Sequence, residues 1–216
     1  MSEPAEPREA ATVILLRDGP PGLEAYLLQR HSRSGFLGGV HAFPGGKVED
    51  VDRGADDVRA AAARRETREE VGVDLPAGAL VFWARWITPE LEPRRFDAAF
   101  FLARTPAGQD PAPADRESVT GGWYTPAAAV DAMRRREILL APPTLRALEL
   151  LAPAPDVEAA LRFAAQAGGP VVRPVMRLVR GRLEILLPGD PDHGEAEAVI
   201  PGPCRMVLVD GVWEYR

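Results

Sequence analysis

Residues 45–73, GGKVEDVDRGADDVRAAAARRETREEVGV, carry the pattern that decides the fold and chemistry of this chain. Glu66, Glu69 and Glu70 follow the helical spacings i, i+3 and i+4, so their carboxylates share one helix face within about 5–6 Å. Like charges at this spacing oppose the helix by roughly 0.2–0.5 kcal/mol per pair. A hard divalent cation such as Mg²⁺ offsets this repulsion, because it binds carboxylate oxygens and completes its shell with substrate phosphates. The stretch therefore predicts a helical metal platform for phosphate chemistry.

The helix that carries these glutamates is expected at residues 55–71, after a Gly-Gly turn and an acidic linker. Gly72 is a suitable stop, because glycine adopts the left-handed conformation that ends many helices. Small or apolar residues recur at near-helical spacing and predict an inner side that packs closely on a sheet, on a different sector from the glutamates. These residues are Ala60, Ala63, Thr67 and Val71.

The composition is that of an ordinary globular protein. The 216 residues are 46% hydrophobic and 27% charged, and a chain of this length can bury a substantial core. The net charge of -6 argues against a nucleic-acid partner, since proteins that bind the phosphate backbone carry a basic excess. The one cysteine, Cys204, fits a reducing compartment, and no run reaches the ~20 apolar residues of a membrane span. We therefore expect a cytoplasmic protein with no membrane partner.

Turn signals and hydrophobic patterns divide the chain into three parts. Residues 1–10 are expected to be a disordered lead-in, residues 11–151 one main domain, and residues 152–216 a C-terminal helix and β extension packed on that domain. The expected strands are 11–17, 23–30, 80–88, 95–104, 119–125, 171–179, 183–187, 206–209 and 212–215. Besides the glutamate helix, the expected helices are 126–136, 143–151 and 156–167.

The end of the glutamate helix resembles the Nudix box of the Nudix hydrolase family. In that pattern a glycine precedes a spacer and then Arg-Glu-x-x-Glu-Glu-x-Gly with an aliphatic residue, which this chain matches at residues 65–73. The family also has an acid inside the spacer. Counting forward from Gly46 gives Asp52 and counting back from Arg65 gives Asp57, because the spacer here is longer than in the family. Both acids remain candidates, and both are also consistent with plain linker or helix N-terminal acids.

The resemblance implies a Nudix-type α/β/α sandwich with a mixed β-sheet at residues 11–151. It also implies a diphosphatase that uses Mg²⁺ or Mn²⁺ held by Glu66, Glu69 and Glu70, with the Gly45 carbonyl as a further ligand. Such ions polarise phosphoryl oxygens and lower the pKa of bound water, and one of the glutamates would act as the base of that water.

Two more residues receive roles from the resemblance. Arg65 would orient Glu66 or Glu69 rather than touch the substrate, with an ordinary surface charge as the alternative. Glu117 lies ahead of Trp123 and would complete the site as a metal ligand or base, with an exposed loop acid as the alternative.

Further stretches resemble the coenzyme A diphosphatases, in particular the peroxisomal branch and bacterial relatives of unknown substrate. They are LLQR at 27–30, HAFPGG at 41–46, WITP at 86–89, PRRFD at 93–97, FF at 100–101 and PPT at 142–144. The coenzyme A signature of that branch also has an arginine four residues before its glycine. Counted from Gly39, that position is Gly35 here, and Arg33 is only nearby.

Candidate substrate contacts follow from residue chemistry. Arginine suits phosphate because its fork donates two parallel hydrogen bonds, although each of these arginines is equally consistent with a salt bridge. His41 lies four residues before Gly45 and could face the substrate, or it could fix the loop by a hydrogen bond. Three aromatic residues could stack an adenine or pack in the core. The arginines are Arg30, Arg33, Arg94 and Arg95, and the aromatic residues are Trp83, Trp86 and Phe96.

Three hypotheses about function remain. The first is hydrolysis of coenzyme A or acyl-coenzyme A to 3′,5′-ADP and (acyl-)4′-phosphopantetheine. The second is the same chemistry on ADP-ribose, a dinucleotide or another nucleoside diphosphate derivative. The third is a regulatory Nudix domain that binds nucleotides without catalysis. Residues 170–216 could cover a sheet edge, form a lid over the site or make a homodimer contact.

Overall fold

The structure, a computed structural model, describes residues 5–31, 39–114 and 118–216, with residues 118 and 119 described by their backbone alone. The strands are β1 (Arg8–Gly19), β2 (Gly22–Arg30), β3 (Val40–Ala42), β4 (Gly45–Lys47), β5 (Val81–Ile87), β6 (Phe96–Arg104), β7 (Ser118–Tyr124), β8 (Leu139–Leu140), β9 (Val171–Val172), β10 (Val175–Val179), β11 (Arg182–Leu186), β12 (Arg205–Val209) and β13 (Val212–Tyr215). The helices are α1 (Val58–Val71), α2 (Pro126–Arg134), α3 (Pro142–Leu151) and α4 (Val157–Gln166), and a short 3₁₀ helix, Asp50–Gly54, precedes α1.

A mixed sheet forms the centre of the molecule. Within the described ranges it has nine strands in the order β8-β3-β2-β1-β6-β5-β9, with β4 paired to β1 and β7 paired to β2. Strand β1 runs parallel to β6 and antiparallel to β2 and β4. Because β1 is covered on both faces, residues 10–16 form a nearly continuous apolar run rather than an alternating one.

Helices cover both faces of this sheet. On one face, Ala63 of α1 shares a buried cluster with Val13 and Leu15 of β1. On the other face, Ile14 and Leu16 join the larger cluster that includes residues of α2, α3 and α4. Successive side chains of a strand point to opposite faces, so the two clusters form separate layers. The predicted α/β/α sandwich with a mixed sheet is confirmed.

A second sheet, β10-β11-β12-β13, follows α4 and is antiparallel throughout. Trp213 Nε1 donates to the Leu140 carbonyl at 3.0 Å. Arg146 of α3 is 3% exposed and donates to the Tyr215 hydroxyl at 3.2 Å and to the Pro201 carbonyl. These bonds fasten the sheet to β8 and α3. Among the described helices, none has the length and apolar character needed to cross a membrane.

Three predictions about the elements are wrong. Residues 8–10 belong to β1 rather than to a disordered lead-in, because they pair with residues 96–98 of β6. Helix α1 begins at Val58 rather than at residue 55, because the Asp57 side chain caps it by accepting hydrogen bonds from two backbone N–H groups of the first turn. The strand expected at 171–179 is also interrupted at residues 173–174, which separate β9 from β10.

Candidate active site

Helix α1 presents its last two turns to the candidate site. It ends at Gly72, which has a left-handed φ of 71° and donates its N–H to the Arg68 carbonyl. The expectation that every glutamate lies away from the sheet is wrong for Glu70, which is only 7% exposed. The inner side also includes Ala62, whereas Ala60 is half-buried.

Arg65 binds the acidic groups around it. Its Nη1 donates to Glu66 Oε1 and to Glu69 Oε2, each at 2.9 Å. Its Nη2 donates to the Lys47 carbonyl at 2.9 Å and to Asp52 Oδ2 at 3.0 Å, while Nε donates to Asp52 Oδ1 at 3.1 Å. One guanidinium thus offsets much of the repulsion between Glu66 and Glu69 and orients both side chains.

Asp52, rather than Asp57, supports Arg65. Its carboxylate also accepts the Glu49 N–H at 2.8 Å within the 3₁₀ helix that takes up the longer spacer. Burial raises the pKa of Asp52, but the hydrogen bonds from Arg65 and Glu49 outweigh burial and hold the pKa below its ordinary value. Asp57 is the N-cap of α1 and therefore has the helix N-terminal role considered for it.

Burial dominates the electrostatics of Glu66. It raises the pKa of Glu66 above its ordinary value, and the neighbouring Glu69 adds to this shift, although Arg65 opposes it. Desolvation penalises the charged form of a carboxylate, and a nearby positive charge relieves that penalty. The position of Glu66 therefore favours a cation beside it.

Close backbone approach explains the Gly45-Gly46 pair. The Gly45 N–H donates to Glu70 Oε2 at 2.8 Å, which gives the buried carboxylate a partner. A Cβ at Gly45 would lie 2.7 Å from the Thr12 Cα, and a Cβ at Gly46 would lie 2.6 Å from Glu66 Oε2. Gly45 therefore lets β4 lie close to β1, and Gly46 leaves room for the Glu66 carboxylate.

A cavity of about 1890 Å³ connects these groups with the second sheet. The three box glutamates, Arg65 and Gly45 line one end of it. The wall formed by the β10–β13 sheet is apolar and is lined by Pro174, Met176, Leu183, Ile185, Leu208, Gly211 and Trp213. Small-molecule sites are commonly about 300–1,000 Å³, so this cavity has room for much more than a diphosphate.

The acidic end of the cavity has the donor chemistry of a divalent metal site. Carboxylates and a backbone carbonyl are the hard oxygen ligands that such ions prefer. In the part of the chain that the structure describes, no three His, Cys, Asp or Glu side chains are already gathered as a metal cage. The hydrogen bonds explain this, since Glu66 and Glu69 face Arg65 and Glu70 faces the Gly45 N–H. The donors therefore fit a divalent ion that replaces some of these hydrogen bonds.

The predicted arginines have different surroundings in the cavity, which Arg30, Arg94 and Arg95 all line. Arg95 donates to the Thr88 carbonyl at 3.1 Å and to the Ala5 carbonyl at 2.8 Å, so it fastens neighbouring segments. Arg94 is exposed and forms no ion pair with another described residue, which makes it the most available to an anion. Glu117 and Arg33 lie outside the described residues, and their roles stay predictions.

His41 does not line the cavity, in disagreement with a direct substrate contact. Its neighbours Val40 and Ala42 line the cavity, and alternation along β3 turns His41 to the other face. There its ring lies edge-on to Tyr124, with the ring centroids 6.4 Å apart. Burial lowers the pKa of His41, and its Nδ1 has no hydrogen-bond partner among the described residues. The side chain therefore occupies a packing position.

The aromatic residues divide between core and cavity. Trp83 is buried against Phe100, whereas Trp86 and Phe96 line the cavity. Sequence reasoning missed Arg8 and Lys47, which also line the cavity. Lys47 directly follows the Gly-Gly pair, and that position could have identified it. Arg8 carries no local signal.

The site combines a carboxylate helix, an arginine that orders its glutamates and a close Gly-Gly approach, an arrangement suited to phosphoanhydride chemistry. The NUDIX domain profile matches residues 6–142, which is more than half of the chain. The chain therefore belongs to the Nudix family, whose hydrolases generally use divalent metal ions.

Individual relatives give more detail. The acyl-coenzyme A diphosphatase NUDT19 of Gallus gallus is 44% identical over 62 residues, which cover 24% of this chain and only 16% of that protein. A NUDIX hydrolase structure from Alicyclobacillus acidocaldarius has a TM-score of 0.67 at 24% identity and covers 73% of this chain and 96% of that one. The NUDIX domain of Shewanella oneidensis NrtR, complexed with ADP ribose, has a TM-score of 0.51 at 16% identity, with coverages of 67% and 86%. These two structures show the shared fold.

Proposed function

We propose that this Nudix hydrolase cleaves the diphosphate of coenzyme A or acyl-coenzyme A, giving 3′,5′-ADP and 4′-phosphopantetheine or its acyl derivative. The observation that carries the proposal is the shared cavity, in which the box glutamates line one end and the β10–β13 sheet forms an apolar wall. Coenzyme A joins a charged nucleotide to a long pantetheine arm and needs both kinds of surface. The partial identity to the acyl-coenzyme A diphosphatase of Gallus gallus supports the same substrate class.

In this proposal Glu66, Glu69, Glu70 and the Gly45 carbonyl hold Mg²⁺ or Mn²⁺. When bound, such ions neutralise charge on the diphosphate oxygens and lower the pKa of bound water. Arg65 holds Glu66 and Glu69 in position through its hydrogen bonds. Glu69, whose side chain is 51% exposed, is the best placed of the three glutamates to accept the proton of the attacking water.

The remaining assignments concern the substrate. Arg94 and Arg30 line the cavity and bind phosphate oxygens, whereas Arg95 positions the segment beside them. Glu117 supplies a further carboxylate on the loop before β7. Cytoplasmic location and absence of a nucleic-acid partner are part of the proposal, as expected from the single cysteine and the net charge of -6. Dimer formation through the C-terminal sheet remains an option that molecular mass in solution tests.

A product-resolved substrate panel tests the proposal. Coenzyme A, ADP-ribose and diadenosine tetraphosphate are incubated with enzyme and Mg²⁺ or Mn²⁺, and the products are separated by chromatography. We expect cleavage of coenzyme A to 3′,5′-ADP, and loss of turnover on addition of EDTA. Turnover of ADP-ribose or the dinucleotide without cleavage of coenzyme A would replace the proposed substrate by the rival one.

A matched pair of glutamate variants tests whether the box glutamates act in catalysis. Glu69→Gln should lower kcat at least about 100-fold, about 2.7 kcal/mol in activation free energy, with little change in thermal stability. Glu158→Gln is the control. Glu158 is an exposed helix glutamate that forms an ion pair with an arginine one turn away, Arg162, just as Glu69 does with Arg65. Nucleotide binding without turnover of any substrate would indicate the regulatory alternative.

A further inference from the structure

The face of the β10–β13 sheet that borders the cavity is apolar along its whole length. Met176 lies opposite Ile185 and Leu208 lies opposite Trp213 on neighbouring strands. Because side chains alternate along a strand, every second residue of the four strands belongs to this same face. Its members are Met176, Leu178, Leu183, Ile185, Met206, Leu208, Trp213 and Tyr215. The charged side chains of the strands, including Arg177 and Glu184, belong to the opposite face.

Burial changes along this apolar face. Ile185 and Met206 are buried in the main core. Leu183 and Leu208 are half-buried and line the cavity. Leu178 lies at the edge of the sheet, is 71% exposed and does not line the cavity. Apolar surface that borders a large cavity gains free energy when an apolar group covers it.

The wall is held in a fixed position. The indole N–H of Trp213 donates to the Leu140 carbonyl of β8, next to Pro142 and Pro143, which line the same cavity. The Arg146–Tyr215 hydrogen bond fastens the last strand to α3. The surface is therefore preformed, and a ligand that binds there does not have to order it.

We propose that this apolar face is a subsite for the aliphatic acyl chain of an acyl-coenzyme A, so that the enzyme prefers acylated over free coenzyme A. The inference rests on the proposed function for its substrate class. A flexible aliphatic chain is the occupant because the face offers no charged side chain to a polar group, and because the cavity runs continuously from it to the box glutamates. A nucleobase would require hydrogen-bonding partners that the lining residues of this sheet do not present.

The test compares kcat/KM for decanoyl-coenzyme A and coenzyme A. The wild type should favour decanoyl-coenzyme A, and Leu208→Ser should lower the ratio of the two values about tenfold or more, since apolar pocket contacts discriminate on this scale. Leu183→Ser is a second variant with the same expected effect, in case one substitution disturbs folding. Leu178→Ser is the matched control, because Leu178 is on the same face but outside the cavity. It should keep the wild-type ratio, and thermal unfolding verifies that each variant is folded.

The outcomes separate this inference from the proposed function. Equal wild-type values for both substrates, or an unchanged ratio in folded Leu208→Ser and Leu183→Ser, overturn the subsite while coenzyme A cleavage stands. If neither coenzyme A compound is cleaved, the proposed function fails. In that case, inhibition of ADP-ribose turnover by decanoyl-coenzyme A tests the apolar subsite. Inhibition that is weakened more by Leu208→Ser than by Leu178→Ser supports the subsite. No inhibition, or equal inhibition of the two variants, rejects the subsite.

Discussion

Replacing Asp52 by asparagine tests whether this acid supports the site through Arg65. Asp52 is buried and accepts Arg65 Nη2 at 3.0 Å, Arg65 Nε at 3.1 Å and the Glu49 N–H at 2.8 Å. Asparagine keeps the shape but removes the charge and exchanges one acceptor oxygen for a donor, so at least one of these donors loses its partner. Hydrogen bonds to charged groups contribute about 1.5–3 kcal/mol, so we expect Asp52→Asn to lower the free energy of unfolding by about 2 kcal/mol.

The same substitution should loosen the glutamates that Arg65 orients. Groups that orient metal ligands typically contribute about 10–100-fold in metal affinity or activity, and we expect a loss in that range when activity is titrated with Mg²⁺. In thermal unfolding, a loss of about 2 kcal/mol corresponds to a Tm lower by about 4–8 °C for a chain of this size.

Asp57→Asn is the control for Asp52→Asn. Asparagine caps a helix as well as aspartate does, so this variant should keep both the wild-type Tm and its Mg²⁺ dependence. Wild-type behaviour of Asp52→Asn, or equal losses in the two variants, would refute the assignment of Asp52 as the acid that supports Arg65.

Two further predictions concern the close backbone approach and a buried ion pair. Gly46→Ala should lower kcat/KM at least about tenfold with an unchanged circular dichroism spectrum, because the new Cβ would lie 2.6 Å from Glu66 Oε2; near wild-type turnover would contradict this geometry. Burial raises the pKa of Asp97, but Arg59 and Arg85 outweigh it and hold the pKa at about 2, below the ordinary 3.8. The stability from this carboxylate is therefore complete above the ordinary pKa and is lost as pH falls towards the lower one. In urea unfolding, the difference in free energy of unfolding between wild type and Asp97→Asn should shrink as pH falls from 4 to 2. A difference that stays constant over this range would disprove the stabilising role of the Asp97 carboxylate.

Local sequence patterns predicted most strands and helices, because these patterns depend on neighbouring residues, whereas the layered sandwich came from the resemblance to the Nudix family. Strand β1 has a continuous apolar run, as expected of a strand covered on both faces, and α1 has a small-residue side with a glycine stop. The start of β1 depended on a long-range pairing that no local pattern contains, whereas the start of α1 depended on a local N-cap. Residues 8–10 became part of a strand by pairing with β6, and the start of α1 was set by the Asp57 cap.

The box residues of the site were predictable from the sequence, but the acid that supports Arg65 was not. The box identified Glu66, Glu69 and Arg65, whose side chains meet as expected in the structure. It could not choose between Asp52 and Asp57, since the longer spacer forms a 3₁₀ helix without hydrophobic periodicity, and counting from its two ends gave different answers.

Side-chain direction and long-range placement were also beyond the sequence. His41 is close to the box in the chain, yet strand alternation turns it away from the cavity. The position of the β10–β13 sheet along the cavity depends on contacts between residues far apart, such as Trp213 with Leu140.

The family match ends at residue 142, whereas the apolar cavity wall begins at Pro174. Under the proposed function, bond cleavage and binding of the acyl chain are thus encoded in separate stretches of the chain, so that evolution can alter acyl selectivity without disturbing the catalytic helix. Chimeras that exchange residues 170–216 between homologues should transfer selectivity while leaving the reaction itself intact. Relatives with an identical box helix and a different terminal segment should accordingly differ in acyl selectivity.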